Sequence, residues 1–196
     1  EAPDTTTGGA PAGSAACPAA DGSSAKQQEF DGPPPMCIDS AATYTAAVDT
    51  TMGSFTITFD PTIAPVTVNN FLALVARDFY TQTLVHRVDR DFVFQGGGFN
   101  SGMREKLSPF QPIALEDNNG LSNLRGTLSM ARRSSADSAT SQWFVNVRDN
   151  SALDYTPVQR GYAVFGQVIS GLPVVDAINV LPVYRYSDTD LRPQTE

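Results

Sequence analysis

Histidine occurs once among the 196 residues, tryptophan once and cysteine twice, and that scarcity excludes several chemistries before any motif is read. Zinc needs about four ligands, and His86 with the two distant cysteines, Cys17 and Cys37, falls short of closing such a site. No metal or cofactor is expected. Lysine is nearly absent too, with only Lys26 and Lys106 among 13 basic residues. The net charge of -8 leaves no basic face for a nucleic acid. No apolar run approaches the roughly 20 residues that a bilayer span requires. No signal peptide is visible, since the sequence opens on the polar Glu1-Ala2-Pro3-Asp4. A Gly-x-Ser-x-Gly elbow is also missing, which argues against a serine hydrolase built on His86. There is no internal repeat.

What is present divides at about residue 40. Residues 1–40 are dominated by Ala, Gly, Pro, Ser and Thr, with almost no large apolar side chain before Phe30. Such a segment gains too little from burial to offset its ordering entropy, and it reads as a flexible linker ending in the stiff run Pro33-Pro34-Pro35. Its removal is expected to leave the following domain nearly unchanged. A linker of this kind holds a domain away from something, and an anchor upstream of Glu1 at the outer face of a cell membrane is the natural expectation. Cys17 and Cys37 are either two unpaired thiols or a disulfide. The disulfide is the favoured reading, and it implies an oxidising, exported setting.

From Thr43 to Glu196 the texture is that of a single β-rich domain. Phe55, Ile57 and Phe59 fall on one face at period two, and Met52-Gly53 suits the turn between a first strand over 43–48 and a second over 54–59. Further strands are expected at 83–88, 92–95, 127–131, 142–147 and 162–168. Pro65 is placed to begin a helix with Val68, Phe71, Leu72 and Val75 at helical spacing. Pro173 opens a second helix with Val174, Val175 and Ile178 inward. Many short strands with only two helices predict a closed antiparallel barrel plugged at its ends by helices.

Three segments carry the chemistry. The first is Val85-His86-Arg87-Val88-Asp89-Arg90-Asp91-Phe92-Val93-Phe94-Gln95-Gly96-Gly97-Gly98, a strand alternating apolar and charged residues that ends in three glycines permitting close backbone approach. The second runs from Gly126-Thr127-Leu128-Ser129-Met130-Ala131-Arg132-Arg133 to Thr140-Ser141-Gln142-Trp143-Phe144-Val145. The third is Gly161-Tyr162-Ala163-Val164-Phe165-Gly166-Gln167-Val168. Together, and in this order, they resemble the three signature regions of the cyclophilins, which are peptidyl-prolyl cis–trans isomerases. The run Ser138-Ala139-Thr140-Ser141-Gln142 is similar to the bacterial branch.

The resemblance implies a mainly β fold, a closed eight-stranded antiparallel barrel capped by two α-helices, with the site in a groove on its outer surface. It implies Arg87 as the catalytic guanidinium, assisted by Gln95. Gln142 and main-chain groups at Ala131 and Arg132 are implied to bind the substrate backbone. Phe92, Val93, Phe144, Leu153 and Tyr162 form the implied proline pocket, with Tyr162 where many relatives have His. Phe94 and Trp143, which alternate with pocket residues, read as core, and His86 reads as structural. The family's last strand is expected after Arg192-Pro193-Gln194, where the sequence stops at Glu196.

Three departures bear on function. The turn Asp89-Arg90-Asp91 replaces an apolar residue, Pro and Gly, adding charge beside the groove where it bears on peptide preference. Gly98 replaces an Asp. Ala152 stands where members that bind cyclosporin tightly have Trp, so cyclosporin is expected to bind weakly. The expected partners are proline-containing peptides and unfolded exported proteins, with no membrane contact by the domain itself and a monomeric state. The alternative on the same fold is a non-enzymatic module or chaperone that grips proline segments.

Overall fold

The computed structural model describes Cys17, Phe30, residues 32–187 and residues 190–193. Strand β1 (Tyr44–Thr50) turns tightly into β2 (Gly53–Phe59), and helix α1 (Pro65–Val75) follows. Next come β3 (Thr83–Asp89), β4 (Val93–Asn100), β5 (Thr127–Met130) and β6 (Trp143–Asn146). A 3₁₀ turn (Ser151–Leu153) precedes β7 (Val164–Ser170), helix α2 (Leu172–Asn179), β8 (Val183–Ser187) and β9 (Asp190–Pro193).

Seven of these strands form one curled antiparallel sheet in the order β1-β2-β7-β5-β6-β4-β3. The expected closed eight-stranded barrel is therefore corrected to an open half-barrel of seven strands. β8 and β9 make a separate two-stranded sheet. β9 lies alongside β3 without joining its ladder, and β3 is an edge whose register is broken at Thr83/Val85 and at Val85/Arg87. Irregularities of this kind at a sheet edge put backbone groups out of step with a further strand. β9 is the last strand among the described residues, and the expected strand after Gln194 lies outside them.

The period-two reading of β2 holds: Phe55, Ile57 and Phe59 are each about 1% exposed and face the core. There they meet Phe71 of α1 and Phe165 of β7, with ring centroids 5.2 Å and 5.9 Å from Phe59. Both helices begin as expected, with proline in the first turn, where its missing N–H costs nothing. The core face of α1 is set by Val68, Phe71 and Leu74, while Val75, expected inward, is exposed. No side chain of its own caps α1. Instead Glu116, far along the chain, accepts the N–H groups of Val66 (3.1 Å) and Thr67 (2.8 Å), placing a carboxylate at the positive end of the helix. α2 buries Val175 and Ile178 and packs on β2, β3 and β4.

The part of the expected linker that is described lies against the domain. Phe30 is buried, stacks on Phe110 at 4.6 Å and donates its N–H to the Pro109 carbonyl. The Arg77 guanidinium sits over both rings, 5.0 Å and 4.9 Å from their centroids. Asn69 of α1 holds the following segment by donating to the Pro35 carbonyl (2.9 Å) and accepting the Cys37 N–H (2.8 Å). Cys17 and Cys37 are joined in a disulfide with Cα atoms 5.3 Å apart. Residues 1–16, 18–29 and 31, the remainder of that expectation, lie outside the described residues.

Candidate active site

Strand register builds the site. Arg87 on β3 lies opposite Gln95 on β4, and Gln95 lies opposite Phe144 on β6. Residues directly across an antiparallel ladder share a face, so these three side chains form one row on the outside of the sheet. The neighbouring row, Val88, Phe94, Val145 and Leu128, points inward and is fully buried. Phe94 and Trp143 are core, as their alternation required. His86 is buried against Phe99, with ring centroids 4.6 Å apart.

Two of the three glycines after Gln95 have specific reasons. Gly97 takes a φ of 81°, and a Cβ there would lie 2.7 Å from the Ser141 carbonyl oxygen and 2.9 Å from the Trp143 indole. At Gly98 a Cβ would come within 2.5 Å of the Gln142 side chain. Gln142 therefore lies across a strand with no side chain beneath it. From there its Oε1 accepts a hydrogen bond from Gln95 Nε2 at 2.7 Å, so two of the expected substrate-binding groups hold each other.

The apolar candidates meet where the loop carrying Leu153 and Tyr162 folds over the outer face of the sheet. Phe144 is only 5% exposed despite facing outward, because Tyr162 covers it edge-on with centroids 5.5 Å apart. Leu153 joins them, its carbonyl accepting the Tyr162 N–H at 2.9 Å. Val93 is buried beside them in the same outward row as Gln95, and Phe92 is half-buried at the head of β4. Ala131 and Arg132 follow β5. The Ala131 N–H is already donated to the Gln142 carbonyl (2.9 Å), so a substrate contact at Ala131 falls to its carbonyl. The Arg132 side chain is a brace: it stacks over Tyr162 at 4.8 Å and donates to the carbonyls of Gly161 (2.9 Å), Arg160 (3.0 Å) and Arg133 (3.1 Å).

Sequence reasoning missed the residues that fix this loop. Asp117, buried between β4 and β5, takes Arg160 in a bidentate pair (2.8 and 2.6 Å) and accepts the Gly161 N–H at 2.7 Å. Burial pushes the Asp117 carboxyl up, but the hydrogen bonds from Arg160 and Gly161 and the charge of Arg160 more than offset it, leaving it below its ordinary value. At the other end of the loop Asp154 accepts hydrogen bonds from Ser122 and from both nitrogens of Asn123. Burial again raises that carboxyl, and these bonds again bring it below the usual range. Isolated acids in loops leave no periodic trace; the signal that was available is the pairing of Gly161 with a basic residue immediately before it.

The Arg87 side chain is 28% exposed, and one terminal nitrogen, Nη2, donates to Asp89 Oδ2 at 2.8 Å. The arrangement offers a permanently charged donor, a neighbouring amide pair and an apolar pocket, with no His/Cys/Asp/Glu cluster fit for a metal among the described residues. It has the parts needed to grip a peptide and to stabilise a lone pair. It has no nucleophile paired with a base.

Comparison with known proteins identifies the family. The family described as "Cyclophilin type peptidyl-prolyl cis-trans isomerase/CLD" matches residues 45–195. The chain is 47% identical over 137 residues to a peptidyl-prolyl cis-trans isomerase of Acinetobacter baylyi, covering 70% of this chain and 72% of that protein. It is 48% identical over 124 residues to peptidyl-prolyl cis-trans isomerase B of Escherichia coli, covering 62% and 74% respectively. Among solved structures, a cyclophilin type isomerase of Cryptosporidium parvum superposes with a TM-score of 0.62 at 24% identity, over 78% of this chain and 91% of that one. At that identity the superposition speaks to the fold, while the sequence matches carry the family: the chain belongs to the cyclophilin-type peptidyl-prolyl cis–trans isomerases.

Proposed function

We propose that this isomerase accelerates rotation about X-Pro bonds through Arg87, with Gln95 and Gln142 holding the flanking peptide and Phe92, Val93, Phe144, Leu153 and Tyr162 gripping the ring. The observation that carries the reading is the outward row Arg87, Gln95, Phe144, which sets a cation and an amide beside an apolar floor. Resonance makes the barrier to peptide-bond rotation about 18–20 kcal/mol, and uncatalysed X-Pro exchange takes roughly tens to hundreds of seconds. No bond is made or broken, so neither a nucleophile nor a metal is required. What lowers the barrier is tighter binding of the twisted amide than of the planar one. Twisting frees the lone pair of the proline nitrogen, and Arg87 then has an acceptor that the ground state lacks. The charged, forked guanidinium suits that role better than an ammonium.

Substrates of the class follow from the site: proline-containing peptides and unfolded proteins. The Cys17–Cys37 disulfide supports an oxidising compartment and hence clients among exported proteins. The second reading, a binding module without turnover, would leave the single charged donor of the row without a purpose. The test is Arg87→Ala in a protease-coupled peptide assay. One transition-state donor is worth about 3 kcal/mol, so turnover is expected to fall about a hundredfold with the fold intact. Arg87→Lys should restore only part. Wild-type rates in Arg87→Ala would sink the mechanism.

A further inference from the structure

The turn after Arg87 carries charge where the family pattern has an apolar residue, Pro and Gly, and it is held by a set of specific hydrogen bonds. Arg87 and Asp89, two residues apart on β3, project from the same face. The hydrogen bond from Nη2 to Asp89 Oδ2, 2.8 Å long, is a one-point grip rather than a bidentate fork. It leaves Nε and Nη1 available to a substrate. The carboxylate in turn stands on a fixed base. The Asp89 carbonyl accepts the Phe92 N–H (3.1 Å), closing the turn, and also accepts Nδ2 of Asn179 (3.1 Å). Oδ1 of the same Asn179 accepts the Asp91 N–H at 2.9 Å, and Asp91 has a φ of 58°, in the left-handed region that Asp tolerates better than most residues. Arg90 turns away to the Val180 carbonyl (3.2 Å). The buried Asn179 at the end of α2 therefore clamps the turn, the turn fixes Asp89, and Asp89 holds one edge of the guanidinium.

We infer that Asp89 is a positioning residue for Arg87, holding the guanidinium so that its unengaged N–H groups meet the twisted amide already oriented. The inference rests on the reading of Arg87 given above. Two effects of the carboxylate oppose each other. It restricts a side chain with many rotamers, sparing that loss in the transition state. It also draws on the charge of the donor. Asp89 is 36% exposed and touches a single nitrogen, so water screens its charge, whereas the restriction of geometry is not screened. Positioning wins, and removing the carboxylate slows the reaction.

The experiment measures kcat and KM by exchange NMR on an Xaa-Pro peptide, at enzyme concentrations high enough to follow slow variants. Asp89→Ala and Asp89→Asn are each made in the parent and in an Arg87→Ala background. In the parent, Asp89→Ala should lower kcat by about two- to fivefold, the range that a part-exposed ion pair supports. KM should stay unchanged, as expected of an interaction used in the transition state. Asp89→Asn keeps the shape and an acceptor oxygen and should recover part of the loss. Both effects should disappear when Arg87 is absent. Equal losses in both backgrounds, an unchanged or raised kcat in Asp89→Ala, or a change confined to KM overturn the inference. Full activity in Arg87→Ala overturns the mechanism beneath it as well, whereas a slow Arg87→Ala beside an unimpaired Asp89→Ala overturns only the role of Asp89.

Discussion

Replacing Asp117 by Asn should destabilise the fold at neutral pH and do so less and less as the pH falls. The side chain is 1% exposed and meets three donors: two nitrogens of Arg160 and the Gly161 N–H. Asparagine fits the same space but puts an NH₂ where a second oxygen stood, so at least one donor faces another donor. Hydrogen bonds to a charged group are worth about 1.5–3 kcal/mol each. Arg160 is half exposed and water replaces much of what it loses, which brings the expected net loss to about 2 kcal/mol. For a chain of this size that corresponds to a drop in Tm of about 4–8 °C. The pH dependence follows from the direction of the shift. The folded carboxyl lies below its ordinary value of about 3.9, so its contribution is complete above that value and is lost as the pH falls through the folded one. Thermal unfolding followed by circular dichroism at pH 7 and at pH 2.5 decides the matter. A variant as stable as the parent at pH 7, or a gap of equal size at pH 2.5, would refute the argument.

Gly98→Asp would place a Cβ 2.5 Å from the Gln142 side chain and break its hydrogen bond with Gln95; a raised KM for peptide is expected, and an unchanged KM would show that the Gln95–Gln142 pair is dispensable. Phe30→Ala removes a buried ring stacked on Phe110 and should lower stability by about 2–3 kcal/mol, somewhat less than a central core truncation. Chemical denaturation reads this directly, and no change in midpoint would mean that Phe30 packs without consequence. For cyclosporin, Ala152 is exposed beside Leu153 and supplies neither an aromatic wall nor an N–H donor. A buried aromatic contact is worth about 3 kcal/mol and a hydrogen bond about 1. Inhibition should therefore be about several hundred-fold weaker than in members with Trp there, and Ala152→Trp should tighten it; nanomolar inhibition of the parent chain would contradict this.

How far the sequence could be read depended on whether a feature repeats or signals locally. The period-two run Phe55, Ile57, Phe59 and the prolines at 65 and 173 are local signals, and the elements they announce are where they were expected. Arg87, Gln95 and Phe144 were singled out by the resemblance of their motifs, and strand register sets the three side by side on one face. Closure of the barrel was not legible. It depends on whether β3 and β9 keep register, and the irregularities of β3 at Thr83, Val85 and Arg87 have no mark in composition. Phe30 was lost to averaging: one aromatic residue in a run of small and polar ones is outvoted in any window, yet its partners Arg77 and Phe110 stand much later in the chain.

The acids follow the same logic in reverse. Asp89, Asp117 and Asp154 look alike in sequence, each a charge in or near a turn, and their partners decide what each does. Asp117 and Asp154 are satisfied from several sides by donors of the loops they tie together, so they are anchors of the pocket. Asp89 spends its side chain on one nitrogen of Arg87 and nothing else described, while its backbone is held by Asn179. A purely structural acid would be tied to the frame through its carboxylate; this one is tied through its backbone and has its carboxylate turned to the groove. With Arg87 in the role proposed for it, that inversion assigns Asp89 to the catalytic geometry rather than to its scaffold.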